Sequence, residues 1–339
     1  MDSATIGVLA AIGNMVLSGG VAVVIKYVGK ELKPSAILLI QAIVSSISFL
    51  IIVSIMGDFM LMFTISWKAL VPLILAAHMG ICIGNLLYFG SMQIIGVSKA
   101  YPITMTYPLL TYILEVIIFP DVSFEWLKML GIIIVIVGIV FISLSKVNGV
   151  GSKSETPSDE ENILNTETVE GEEKTPRTEE SIETNVNAKS PLIKSKMVLG
   201  IIMSIIAAIT WATGTTLIRY GLEQTDVAII PINAARMVFL IPTTLIIFLS
   251  TNRKKNKSKF TWKNISIMTV ASLLGLVLSN IIYLEAIARI GSSTPSAIAA
   301  SGPLIATPLS MIFLKEKVDW KIIIGTLLTV GGIIMVIFI

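Results

Sequence analysis

Arg236 stands about nine residues into an apolar run, 228–250, with Asn233 three residues before it. A guanidinium can grip a carboxylate through two parallel hydrogen bonds. A charge inside hydrocarbon is costly enough to mark a functional position. Arg236 is therefore a candidate contact for an anionic substrate group, with a fixed ion pair to an acidic side chain as the other reading. His78 is the chain's one histidine. It shares a run with Cys82 and Asn85, and spacings of four and seven place the three on one helical face. An imidazole exchanges protons near neutral pH, so His78 reads as a proton relay or substrate contact, or else as a buried ring bonded to a backbone carbonyl. Glu115 has no opposite charge three or four residues away. It reads as a proton carrier, a cation contact or the partner of Arg236. Glu285 and Arg289, four apart, read as a simple pair along one helix.

Weaker candidates surround these. Asn14 and Trp211 lie near the middle of apolar runs, Trp211 among Thr210, Thr213, Thr215 and Thr216, and Gln41 is a further polar residue of this kind. Tryptophan is commoner at the membrane–water boundary than at the centre, so Trp211 is expected on a cavity wall. Asn85 and Asn280 occupy equivalent places in an internal repeat, as do Tyr88 and Tyr283. Each amide can bond across helices for about 1 kcal/mol or touch substrate, and the tyrosines could form matching gates. Pro102 and Pro108, with Tyr101, Thr104, Thr106 and Tyr107 around them, lie in one run and Pro303 and Pro308 in its later equivalent, with Pro108 falling on Pro303 across the repeat. A proline removes a backbone donor and bends a helix, so these four are expected at a pore bend or hinge, or as static kinks. Tyr107 is counted with the substrate contacts.

Such residues need elements to hold them. The chain has 339 residues, of which 54% are hydrophobic and 14% charged. A soluble domain carries about 25% charged residues, so this is an integral membrane protein, with the lipid bilayer as its surroundings. A spanning helix needs about 20 mostly apolar residues. Ten stretches qualify: 4–26, 35–56, 68–92, 97–119, 126–145, 197–219, 228–250, 264–288, 293–314 and 320–339. The first lacks a basic leading region and belongs to the repeat, so it is expected to remain as a spanning helix. The expected fold is an all-α polytopic membrane protein of ten transmembrane helices.

The repeat sets the plan. At an offset of 195, Trp67 falls on Trp262, Gly80 on Gly275, Asn85 on Asn280, Tyr88 on Tyr283, Gly96 on Gly291 and Pro108 on Pro303; at 193 Lys26 falls opposite Arg219, and at 194 Trp126 falls on Trp320. The two copies, 1–146 and 196–339, each hold five helices. Five is odd, so the second copy enters the membrane from the opposite side, giving an inverted repeat. Residues 147–195 are rich in Glu, Ser, Thr, Asn, Pro and Lys without an aromatic residue. Such a stretch buries too little apolar surface to order itself and is expected as a disordered acidic linker. Basic residues concentrate on the loops after helices 1, 3, 5, 7 and 9, above all between Arg253 and Lys263. The positive-inside bias then puts the linker in the cytoplasm and both termini outside.

Small residues at Gly131, Gly138, Gly325 and Gly331 let helices approach closely, between halves or between protomers of a homodimer. One cysteine precludes a disulfide framework within the chain. No G-x-x-x-x-G-K-[ST], H-E-x-x-H or G-x-S-x-G run occurs. No catalytic residue, cofactor, metal or nucleic-acid partner is expected.

Three paired patterns add a resemblance: G-N-L-L-Y at 84–88 with S-N-I-I-Y at 279–283, G-V-S-K-A-Y-P at 96–102 with G-S-S-T-P-S-A at 291–297, and G-I-I-I-V-I-V-G at 131–138 with G-T-L-L-T-V-G-G at 325–332. With ten helices in two five-helix halves, the chain resembles the drug/metabolite transporter superfamily, in particular the EamA-type transporters. The resemblance covers nearly the whole chain outside the linker, which is longer than usual. It implies movement of a small metabolite across the cell membrane and names no substrate. The expectation is a secondary transporter of an amino acid-like or other small polar or amphipathic solute, working by alternating access. A lipid or lipid-linked sugar flippase, or a non-transporting scaffold or sensor, are the alternatives.

Overall fold

The protein's structure is a computed structural model that describes residues 2–28, 31–95, 97–143, 191–252, 258–305, 308–309 and 320–338. The expected linker lies outside these residues except at its end, where helix has already begun. Among the described residues there is no strand. In hydrocarbon a backbone must satisfy its own polar groups, and a helix does so within one segment. The first half consists of α1 (Ser3–Val28), α2 (Pro34–Ile55), α3 (Trp67–Ile95), α4 in two pieces (Val97–Thr104 and Tyr107–Ile118) and α5 (Trp126–Ser143). The second half consists of α6 (Pro191–Leu222), α7 (Ile229–Thr251), α8 (Trp262–Ile290), α9 (Ser293–Ala300) and α10 (Trp320–Phe338). Among the described residues eight helices are long and apolar enough to span a membrane, and α5 is a shorter apolar helix. Helix α9 breaks after Ala300, helix resumes at 303–305 and 308–309, and half of the stretch from 301 to the expected end at 314 lies outside the described residues. Helix α6 starts at Pro191, inside the stretch expected as linker. Proline is well tolerated in the first helical turn, so the helix extends past its apolar part.

Prolines place the breaks. The ring at position i excludes a hydrogen bond to the carbonyl of i−4. Pro108 therefore cannot bond Thr104, and α4 breaks at Met105–Thr106. Pro303 cannot bond Ala299, and α9 ends at Ala300 before a turn at Ser301–Gly302. The two breaks coincide across the repeat. Pro242 likewise accounts for the interruption of α7 at Phe239. Pro102 lies within the first piece of α4 without ending it. Helices α3 and α8 each carry a π-helical segment at the same repeat position, His78–Gly84 and Leu273–Leu278. No residue pattern announces these wider turns.

The packing has an approximate two-fold order. Helix α1 packs on α8 and α6 packs on α3, the same pairing with the halves exchanged. Helix α2 meets its equivalent α7, and α5 meets its equivalent α10 along their lengths. Four tryptophans open α3, α5, α8 and α10 and are largely exposed: Trp67, Trp126, Trp262 and Trp320. Tryptophan settles where a membrane meets water. With five helices per half, Trp67 and Trp126 mark one face, and their equivalents Trp262 and Trp320 mark the opposite face. The glycine expectation needs one change. Gly131, Gly138 and Gly325 do face the α5–α10 contact, but the fourth is Gly332, beside Gly131 and Val135, whereas Gly331 has open space around it. The small residues serve the contact between halves of one chain.

Candidate functional site

Arg236 follows the start of α7 by two turns and is 1% exposed. Its Nε donates to Asn233 Oδ1 at 3.0 Å, one turn back on the same helix. Asn233 Nδ2 donates to Ile229 O at 3.1 Å, which turns the amide oxygen towards the guanidinium. Arg236 Nη2 donates to Asn280 Oδ1 on α8. These bonds use two of the five N–H donors of a guanidinium. Among the described residues no carboxylate pairs with Arg236. Neither Glu115 nor another acidic side chain fixes it, so the ion-pair reading has no partner there.

Asn280 leads to an aromatic group. Tyr283, one turn further along α8, lies 3.4 Å from Thr215 Oγ1 on α6, hydroxyl to hydroxyl. Its hydroxyl also interacts with that of Tyr107. The ring of Tyr107 meets Trp211 edge-on at 5.6 Å, and Tyr88 lies 5.3 Å from Trp211 and 6.2 Å from Tyr101. Trp211 Nε1 donates to Gly80 O at 3.0 Å, within the π-helical segment of α3. Gly84 leaves room for the indole, because a Cβ there would strike Trp211 Cδ1 and Nε1. Tyr101 and Tyr107 donate to Ala300 O and Ser296 O on α9, at 3.3 and 3.0 Å. Three aromatic residues from the first half and two from the second thus meet between the halves.

The remaining candidates separate. His78 Nδ1 lies 2.9 Å from Ile74 O and Nε2 lies 3.0 Å from Thr243 Oγ1 on α7. Cys82 is fully buried in an apolar cluster with Ala77, Ala234, Met237 and Val277. His78, Cys82 and Asn85 therefore do not make the single polar face that α-helical spacing implied, because the π segment falls between them. Asn14 accepts a hydrogen bond from Ser279 Oγ on α8. Asn85 is half-buried, while its equivalent Asn280 holds Arg236. Gln41, which falls opposite Arg236 at the offset of 195, is buried with its Oε1 unpartnered among the described residues. Pro303 is buried and Pro308 exposed. The Glu285–Arg289 pair is present.

Glu115 belongs to a different cluster. It is 1% exposed and accepts from Arg219 Nη1 at 2.6 Å, Ser292 N at 2.6 Å, Ser292 Oγ at 3.0 Å and Ser293 N at 3.1 Å. Arg219 also pairs with Asp121 and Glu223, both at 2.8 Å, and stacks over Phe119 at 4.0 Å. Sequence reasoning missed Arg219, which reads as a charge at a helix end. Its pairing with Glu223 at i+4 was visible; its pairing with Glu115 was not.

Comparison with known proteins gives three findings. The profile described as the EamA-like transporter family matches residues 5–144 and 198–338. A WAT1-related protein of Arabidopsis thaliana is 29% identical over 107 residues. That match spans 30% of this chain and 29% of the relative, well under two thirds of its length. One solved crystal structure superposes with a TM-score of 0.69 at 11% identity, covering 97% of this chain and 96% of the other. At that identity the likeness concerns the fold alone.

Proposed function

Since the chain belongs to the EamA-like transporter family, we propose that it is a secondary transporter of a small amphipathic organic anion, with Arg236 as the anion contact. The observation that carries this reading is the buried guanidinium held by two amide oxygens, with no carboxylate beside it among the described residues. A charge at this depth is costly. Two neutral acceptors orient it and leave donors for a carboxylate in bidentate geometry. Asn233 and Asn280 act as positioning residues. Tyr283, Tyr107, Trp211 and Tyr88 supply flat apolar surface with hydroxyls at the edge, suited to the apolar part of the same solute. The mechanism is alternating access between the two halves, and the membrane is the cell membrane, with the linker in the cytoplasm.

The test compares purified protein with Arg236→Met and Arg236→Lys. Thermal unfolding is measured against a panel of small carboxylates, neutral sugars and organic cations, because a ligand that binds the folded state stabilises it. Carboxylates should raise the unfolding temperature of the parent and leave Arg236→Met unmoved. Uptake of the best carboxylate into proteoliposomes should fall at least tenfold in Arg236→Met. Arg236→Lys should lose most activity, since an ammonium lacks the planar fork. Replacing a buried charge by an apolar side chain of similar volume is often neutral or stabilising, so Arg236→Met should unfold no earlier than the parent. Full uptake by Arg236→Met would overturn the reading.

A further inference from the structure

The cluster around Glu115 joins the two halves at one face of the membrane. Glu115 and Asp121 come from the first half; Arg219, Glu223, Ser292 and Ser293 come from the second. All lie at the ends of α4, α6 and α8 or the start of α9. Glu115 does two things at once. Its carboxylate neutralises Arg219, and it accepts the free backbone N–H groups of Ser292 and Ser293 at the start of α9, where negative charge is favoured. Gly291 has φ +77, and a Cβ there would come within 2.7 Å of Glu115 Oε1, so the turn between α8 and α9 is shaped to admit the carboxylate.

We propose that Glu115 and Arg219 form a one-sided latch that holds the halves together at this face, and that the face opens only when this pair parts. One-sidedness comes from the repeat. Lys26 falls opposite Arg219, but the positions opposite Glu115, at offsets of 194 and 195, are Leu309 and Ser310, neither of which carries a carboxyl. The inverted repeat alone would give both faces the same closure; this residue pair breaks that equality. The latch differs from a surface ion pair in its burial. Glu115 and Arg219 are 1% and 8% exposed. Separating a buried, hydrogen-bonded pair leaves uncompensated charge unless water enters. The latch thus favours one state of the transporter, and a solute that binds between the halves must work against it to open this face.

The experiment uses the full chain in lipid nanodiscs with Cys82→Ala and spin labels at Ser123→Cys, just beyond α4, and Gln224→Cys, between α6 and α7. Both positions are exposed and lie outside the latch. Pulsed electron resonance reads the distance between the halves at this face, without any substrate. The parent should give one short-distance population. Glu115→Gln, which keeps an oxygen for the Ser292 and Ser293 amides but loses the charge, should add a longer-distance population. Glu223→Gln removes one partner of the guanidinium at a half-exposed position and should give a smaller shift in the same direction. Unchanged distances in folded Glu115→Gln would overturn the latch; should that variant not fold, unchanged distances in Glu223→Gln would do so. Either result leaves the substrate reading at Arg236 standing or falling on its own assay.

Discussion

Gly84 and Trp211 form the most exacting contact of the candidate site at the scale of single residues. The indole occupies the space a Cβ would need, and its Nε1 is tied to Gly80 O. Gly84→Ala should push the indole off that carbonyl. With Trp67, Trp126, Trp262 and Trp320 replaced by Phe, Trp211 becomes the one tryptophan and can be excited apart from the tyrosines. Its emission should shift in Gly84→Ala, and carboxylate-dependent stabilisation should weaken; an unmoved spectrum would show that the contact yields without displacing the ring. Sequence alone reached part of this site. Arg236 stood out because charge in hydrocarbon is conspicuous, and Trp211 because it broke the boundary preference the other four tryptophans obey. Glu115 was noticed, but its partner Arg219 is 104 positions away in the chain. Local spacing encodes pairs along a helix and is silent about pairs between helices. For His78 the sequence left two readings open, and the contacts match the ring bonded to a backbone carbonyl. Its partner on another helix, Thr243 Oγ1, was the part that local spacing could not show.

Helices and breaks were legible where one residue type dictates them. Apolar length gave most spans to within a few residues, and Pro108 and Pro303 gave equivalent breaks. The π segments of α3 and α8 escaped because their residues carry no distinctive pattern; the one in α3 packs against α6 and the one in α8 against α1 and α2. They matter because Gly80 O, the acceptor for Trp211, lies in one of them, and π turns often mark functional positions. The α5–α10 contact shows how finely a helix face must be read. Gly331 and Gly332 are adjacent, yet one faces open space and the other faces Gly131 and Val135. A Cβ at Gly138 would meet Thr329 Oγ1 and, at 2.6 Å, the backbone oxygen of Gly325. Overpacking a tight contact costs about 1–3 kcal/mol. Gly138→Leu should therefore lower the unfolding temperature in detergent, while Gly331→Leu should leave it nearly unchanged. Equal loss in both would mean that α5 and α10 do not depend on this close approach.

For the whole molecule the question is what keeps the halves together. Every helix of the first half touches the second: α1 on α8, α2 on α7, α3 on α6, α4 on α9 and α5 on α10. Four of the hydrogen bonds that close these contacts tie the aromatic group and the Glu115 cluster across the same boundary. The covalent link through residues 144–190 adds only the advantage of holding the halves near one another. Such an advantage shrinks slowly as the link lengthens and amounts to an effective concentration of about millimolar even for short flexible linkers. Once the halves have assembled in a bilayer, the contacts outweigh it. A protease site inserted near residue 170 and cut after purification should give two fragments that elute as one complex, bind carboxylates as the intact chain does and transport at an undiminished rate. Dissociation of the fragments would show that the linker holds the assembly. Co-elution with lost transport would give the linker a part in the transport cycle, because the static contacts would then be intact and only the motion between the halves would have changed.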